Sequence, residues 1–191
     1  MAIDIKNILA NGLLELCNKK SLTSITIKDL LLETNVSRQT FYNHFCDKND
    51  LIQWTYEHIA LKHWLENSFE NTNYYENTLS FYHAIDAHRN FLKQACAMRE
   101  QNCLMDYMLW FVVDFDIKWH QYLNGNNPLT EEQLFITRYH SIASIHTAIE
   151  WITSNHPKPP EVMAKHVTNI RKLNMSDMLF GKDCHVYDIP E

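Results

Sequence analysis

Three helix-start signals crowd into residues 26–50, and they constrain the chain more than any other feature. Thr26 is placed to cap a helix, with Asp29 at the third position and Ile25 facing Leu30. Ser37 is placed to cap a second, with Val36 facing Phe41, and Asp47 a third, with Asp50 at its third position. In each case a side-chain oxygen accepts a bond from an N–H that the first helical turn leaves unpaired. The linker between the first two of these helices is only Thr34-Asn35-Val36. Asn35 is the residue able to turn the chain, because after glycine it best tolerates the left-handed region. A two-turn helix, a three-residue turn and another short helix is the spacing of a helix-turn-helix.

The segment from Ser37 to Phe45 has two distinct faces. Phe41 and Phe45 are four residues apart and point inward. Arg38, Gln39, Thr40, Tyr42, Asn43 and His44 are left outside, a set rich in groups that donate to phosphates or base edges and free of any acid. A surface helix of an acidic protein ordinarily carries Glu or Asp, so this acid-free face is suited to a polyanion. Arg38 and Gln39 are the first candidates for base edges, Arg toward guanine and Gln toward adenine, with Asn43 on the same side. Thr40 suits a thymine methyl or a phosphate. Lys48, Thr26 and Lys28 are phosphate candidates beside helix N-termini. Thr26 and Ser37 serve as caps whether or not DNA is present.

The rest of the chain reads as helix. Only three glycines and five prolines occur in 191 residues, and strand-type alternation is scarce. A first helix is expected from Asp4 to Lys19, with Ile5, Ile8, Leu9, Leu13, Leu16 and Cys17 forming one stripe. Gly12 beside that stripe points to close approach of another helix. Asn124-Gly-Asn-Asn-Pro128 is the clearest loop. Thr130 then caps a helix near 131–154, with Gln133 at its third position. His156-Pro-Lys-Pro-Pro160 breaks the chain before a final helix near 161–173, and residues 175–191 are expected to be a loose tail.

Charge is unevenly spread. Residues 1–62 hold seven basic and seven acidic side chains, so the remainder carries the whole formal net charge of −6. A neutral N-terminal part on an acidic body permits a local positive surface. The five cysteines are odd in number and contain no CxxC, which indicates a reduced, cytoplasmic protein. Cys96 and Cys103, seven apart, are read as two buried thiols sharing a helix face. No run of about 18 apolar residues occurs, and the first residues lack the pattern of a signal peptide, so neither membrane span nor export is expected.

At this point the residues resemble the TetR family of transcriptional regulators. The run from Ile25 to Leu51 follows its N-terminal pattern, above all Val-Ser-x-x-Thr-Phe-Tyr-x-His-Phe over 36–45 followed by Asp-Lys-x-x-Leu over 47–51. Asn35 replaces the usual turn glycine, Leu22 stands near a usual aromatic, and Gln39 stands where Gly or Ala is common. The resemblance covers about residues 5–60. It implies an all-α fold: an N-terminal three-helix helix-turn-helix head over residues 1–50, joined to a larger helical ligand-binding and dimerisation body over 51–174. It also implies phosphate contacts at Tyr42 and His44. The run from Tyr139 to Val167, with Glu150-Trp-Ile152 and the proline break, is similar to a subgroup that includes activators of dihydroxyacetone-kinase operons. No ligand is carried over from it.

Residues 62–124 are dense in aromatics and methionines, which at helical spacing make a core and also suit a pocket between helices. His83, Met105, Trp110 and Phe111 are the lining candidates for an unidentified small-molecule effector. Ser141, Ser144 and Ala148 interleave with apolar residues in the helix near 131–154 and would let another helix approach. Two antiparallel helices at the chain end, doubled by a two-fold axis, would make a four-helix interface, with Ile142, Ser144, Ile149, Val167 and Ile170 as candidates. Among the eleven histidines, His83/His88 and His140/His146 are five and six apart, so neither pair shares a helix face, and no metal or other cofactor is expected. No nucleophile–base set or phosphate-cradling loop occurs, so an enzyme is not expected. The leading reading is a ligand-responsive homodimeric repressor on double-stranded operator DNA. The alternative is a coactivator of the same fold that works through a protein partner.

Overall fold

The computed structural model describes residues 4–62, 65, 73–99 and 102–172. The expected tail, the end of the body at 174, and Trp64 and Phe69 of the aromatic-rich stretch 62–124 lie outside the described residues. Among the described residues there are nine α-helices and no strand. Three form the head: α1 (Ile5–Lys19), α2 (Ile27–Thr34) and α3 (Arg38–Tyr42), with a 3-10 turn at Leu22–Ser24 between the first two.

The local signals account for these elements. Asp4 caps α1 by accepting from the Asn7 N–H at 3.1 Å. Leu9, Leu13 and Leu16 are its buried face. Thr26 and Asp29 form a reciprocal capping box on α2, and Ser37 accepts from the Thr40 N–H at 3.0 Å to start α3. Asn35 adopts the left-handed conformation, with φ of 54°, and so turns α2 into α3. Gly12 is where α1 meets the end of α2: a Cβ there would lie 2.2 Å from Cγ2 of Thr34. No side chain fits at that approach unless Thr34 moves.

Helix α4 (Lys48–Tyr56) starts on the Asp47 cap and runs on through a π-type turn at Glu57–Leu61. It crosses the expected boundary at residue 50 without a break. The body adds α5 (Tyr74–Ala87), α6 (Arg89–Ala97), α7 (Leu104–Leu123), α8 (Glu131–Thr153) and α9 (Pro160–Arg171). Helices α7 and α8 pack along each other, and α9 lies against α5. A capping box of Thr130 and Gln133 starts α8, as the sequence predicts. Cys96 lies in α6 while Cys103 precedes α7, so the two buried thiols share no helix face. Asn102, with φ of 59°, breaks the chain between them.

One apolar core runs from Leu9 of α1 to Val167 of α9, so head and body are packed on each other. Helix α6 is the polar tie between them. The Asn90 amide donates to the Cys17 carbonyl at 3.1 Å, and the Gln94 side-chain oxygen accepts from the Leu22 N–H at 2.7 Å. From the same helix, the Arg89 guanidinium donates to the Trp151 and Ile152 carbonyls at 2.7 and 3.1 Å and stacks on the Trp151 ring. The end of α1 and the end of α8 thus both bond to α6. Among the described residues, no helix is long and apolar enough to cross a membrane.

Candidate nucleic-acid interface

Helix α3 stands on two rings. Phe41 and Phe45 are buried, with centroids 5.9 Å apart, and Phe45 meets the edge of Trp54 from α4 at 6.0 Å. Anchoring those two positions turns the other side of the segment outward. Arg38, Gln39, Tyr42, Asn43 and His44 are exposed and Thr40 is half-buried. The Arg38 guanidinium lies 5.6 Å from the centre of the Tyr42 ring, one turn away. Tyr42 itself sits edge-on to Phe41 at 5.3 Å.

Several candidates have partners inside the head. Ser37 and Thr40 share a hydroxyl–hydroxyl bond of 2.8 Å. The Thr26 hydroxyl lies 2.7 Å from the Asp29 carboxylate, which also accepts from the Thr26 N–H at 2.8 Å. The Lys48 ammonium donates to the Leu22 and Ile25 carbonyls at 3.1 and 3.0 Å. It ties the 3-10 turn to the start of α4 rather than reaching outward. Lys28 remains exposed.

The acids of α2 are neutralised locally. Lys20 lies 2.7 Å from Asp29 and Lys19 lies 2.7 Å from Glu33. The bond from Lys20, and after it those from Thr26, hold the Asp29 carboxyl well below the usual carboxylate range. Lys28 and Arg38 are therefore the exposed cations of the head with no carboxylate in reach among the described residues. The face is acid-free, as the sequence predicts, but its positive charge is sparse.

Below the head, a partly open cavity of about 70 Å³ lies between α4, α5, α7, α8 and α9. Tyr56 and Leu61, at either end of the π-type turn of α4, belong to its wall. Of the four expected lining residues, only Phe111 faces it. Trp110 is 61 % exposed on the outer side of α7, one helical step from Phe111. His83 is exposed and lies 3.2 Å from Glu161. Met105 is near Arg99, toward the start of α7. Ser144 and Val167, expected at a subunit interface, line this cavity instead, and Ile149 is buried within the chain. Ile142 and Ile170 do lie exposed on the outer faces of α8 and α9. The sequence stripe mixed the two sides of each helix. The exposed apolar residues beside Ile142 are Phe135 and Tyr139, stacked at 6.5 Å.

The cavity has a polar end that sequence reasoning also missed. Asp116 and Arg171, 1 % and 2 % exposed, form an ion pair of 2.5 Å. Ser141 donates to the same Asp116 oxygen at 2.6 Å, and the Tyr74 ring lies 4.8 Å from the guanidinium. Burial opposes the Asp116 charge, but Arg171, then His120 and Ser141, more than offset it, and the carboxyl stays below its ordinary range. His120 meets Thr137 at 2.8 Å, and burial pushes its pKa down to about 4, against the pull of Asp116. The available signal was Asp116 and His120, four apart on one face of α7.

Residues 72–172 match the family described as transcriptional regulator C-terminal region. Among solved structures, the chain is similar to the dihydroxyacetone kinase operon activator DhaS, with a TM-score of 0.71 and 18 % identity. That likeness covers 92 % of this chain and 98 % of the other and concerns the fold. No protein of curated function matches it in sequence.

Proposed function

This chain belongs to the TetR-type transcriptional regulators, whose C-terminal region its residues 72–172 match, and on that premise we propose that it is a ligand-responsive dimeric repressor that binds operator DNA. The observation that carries the DNA contact is the outward, acid-free face of α3, with Arg38, Gln39 and Asn43 held out by the buried Phe41 and Phe45. Arg38 and Gln39 read bases, while Lys28, Tyr42 and His44 position the backbone. A two-fold axis through the outer faces of α8 and α9, carrying Phe135, Tyr139, Ile142 and Ile170, sets two copies of α3 in successive major grooves, about 34–36 Å apart.

The cavity supports the ligand response. Its wall includes Tyr56 and Leu61, so an occupant touches the same helix whose first turn is tied to the head by Lys48. A π-type turn interrupts the regular bonding of a helix and is frequent at functional sites. Displacing it changes the angle at which α4 presents the head and hence the spacing of the two α3 helices.

A gel shift on upstream DNA containing an inverted repeat tests the proposal. Binding is expected as a dimer, with a palindromic footprint that Arg38→Ala weakens. A non-palindromic footprint, or binding as a monomer, counts against it.

A second reading, a coactivator that works mainly through a protein partner, is favoured by one observation. Lys19, Lys20 and Lys48 are engaged within the head, leaving few exposed cations for phosphates. A stable partner in a pull-down, with no shift of upstream DNA, would select it.

A further inference from the structure

The cavity is specific enough to define the chemistry of its occupant. Its wall is almost wholly aromatic and aliphatic, with Phe81, Tyr82, Phe111, Phe115 and Ile145 among its residues. Its charged groups are Asp116 and Arg171, already paired with each other. His120, behind Asp116, is neutral at neutral pH because burial pushes its pKa down to about 4. The formal charge facing the cavity is therefore balanced before any ligand enters. A carboxylate would meet Asp116 as well as Arg171, and an ammonium would meet the reverse. Either must break the pair or stay buried without a counter-ion.

Two hydroxyls on the wall lack a hydrogen-bond partner among the described residues: Thr78, which is buried, and Ser144, which is half-buried and so the one open to an entering molecule. The Ser144 hydroxyl both donates and accepts. The volume of the recess indicates the size of the group that fills it. About 70 Å³ is roughly half of the ~150 Å³ cavity that holds a benzene ring, which suits about three to five non-hydrogen atoms.

We propose that the effector of this protein is an uncharged, compact, mainly apolar molecule with one hydrogen-bonding group, of the class of short-chain alcohols and ketones, held with that group at Ser144. The inference rests on reading the body as an effector domain. It goes beyond that reading in naming the ligand chemistry and the residue that selects it.

Full-length protein without DNA is titrated calorimetrically with 1-butanol, butyrate and butylammonium. Saturable binding of 1-butanol at millimolar concentration is expected, with none for the two ions. Ser144→Ala is expected to weaken 1-butanol by about three- to tenfold, the effect of one lost hydrogen bond. Val112→Phe, which places a ring from the wall into the cavity, is expected to abolish binding while the ligand-free melting temperature shows that the chain still folds. Binding of either ion as tightly as 1-butanol overturns the proposal, as does no binding of all three. Equal 1-butanol affinity in the wild type and a folded Val112→Phe variant overturns it too, because the alcohol then sits elsewhere. A protein that binds 1-butanol and no operator keeps this inference and loses the DNA-binding reading; one that binds operator and none of the probes does the reverse.

Discussion

The head and the body solve the same problem, placing polar groups in a helical protein, in opposite ways. In the head the helix starts are fixed by local contacts: Thr26 with Asp29, Ser37 with Thr40, and Asp47 with the Asp50 N–H at 2.8 Å. These are three residues apart, exposed, and individually weak. In the body the decisive contacts span the chain. Asp116 meets Arg171, 55 residues away, and Ser141, 25 away, all at full burial. The head is thus a set of locally capped short helices, joined by single contacts such as Lys48 to Leu22 and Lys19 to Glu33 and seated on two phenylalanine rings. The body is one network whose members fail together. A DNA-reading surface needs its polar groups outside and its backbone rigid, whereas a cavity needs its charges inside and cancelled.

The largest expected effect tests the body half of that contrast. Asp116→Ala leaves the Arg171 guanidinium buried without its counter-charge, and one partner lost from such a pair typically costs about 3–5 kcal/mol. Urea unfolding should show this loss, and replacement of both residues by apolar ones of similar size should recover much of it. A loss near zero for Asp116→Ala would mean that the pair is not what holds α9 against α7.

The next effect is a pH dependence. Folded His120 is held neutral, with a pKa pushed to about 4 by burial, while the unfolded ring takes its proton near 6.5. Its contribution to stability is complete above pH 6.5 and is lost as pH falls toward 4, an effect of about 3 kcal/mol. His140, also lowered by burial, adds in the same direction, while Asp116 loses its contribution only below the ordinary carboxylate range. His120→Asn, which can still bond Thr137, should flatten the profile between pH 6.5 and 4 in thermal melts. An unchanged profile would assign the acid sensitivity to other groups.

The same contrast explains what the sequence makes legible. The caps at Thr26, Ser37, Asp47 and Thr130, the left-handed turn at Asn35 and the close approach at Gly12 all rest on interactions within a few residues or on backbone geometry. Such signals survive in one dimension. The face of α3 is legible for the same reason, since two inward aromatics four apart fix the outward side. The cavity is not. Phe111 and Trp110 are adjacent aromatics, and which one faces inward depends on where α5 and α8 lie. Ser144 and Val167 look like interface residues because small and apolar positions at helical spacing read the same against a second subunit as against the chain's own α5. Arg171 near the end of a helix reads as a solvated cation until the fold sets Asp116 beside it.

In the head the expected effects are smaller and separate cleanly. Arg38→Ala should weaken operator binding by about 1–3 kcal/mol and relax specificity at one base pair. Because Arg38 is exposed and makes no hydrogen bond or ion pair with its side chain among the described residues, the melting temperature should barely move. Equal loss of affinity for operator and unrelated DNA would make Arg38 a phosphate contact instead. The sparse charge of the head also predicts a shallow salt dependence, because each phosphate contact contributes a slope of about −0.9 in log affinity against log salt. A steep slope would require phosphate contacts from backbone N–H groups or from cations now held inside the head.

Thr26 gives the smallest effect and the sharpest distinction, because it was a DNA candidate and is also a complete cap. Its hydroxyl accepts from the Asp29 N–H at 3.2 Å and lies 2.7 Å from the Asp29 carboxylate. Thr26→Ala should cost about 1 kcal/mol of stability through the lost cap, and Thr26→Ser, which keeps the hydroxyl, should restore most of it. If capping is its whole role, operator affinity of the folded Ala variant should fall only as far as α2 shifts. Affinity that falls tenfold in Thr26→Ala with stability unchanged would reverse the assignment. The hydroxyl would then serve a phosphate, and the local, self-satisfied character ascribed to the head would fail at its first helix-turn-helix residue.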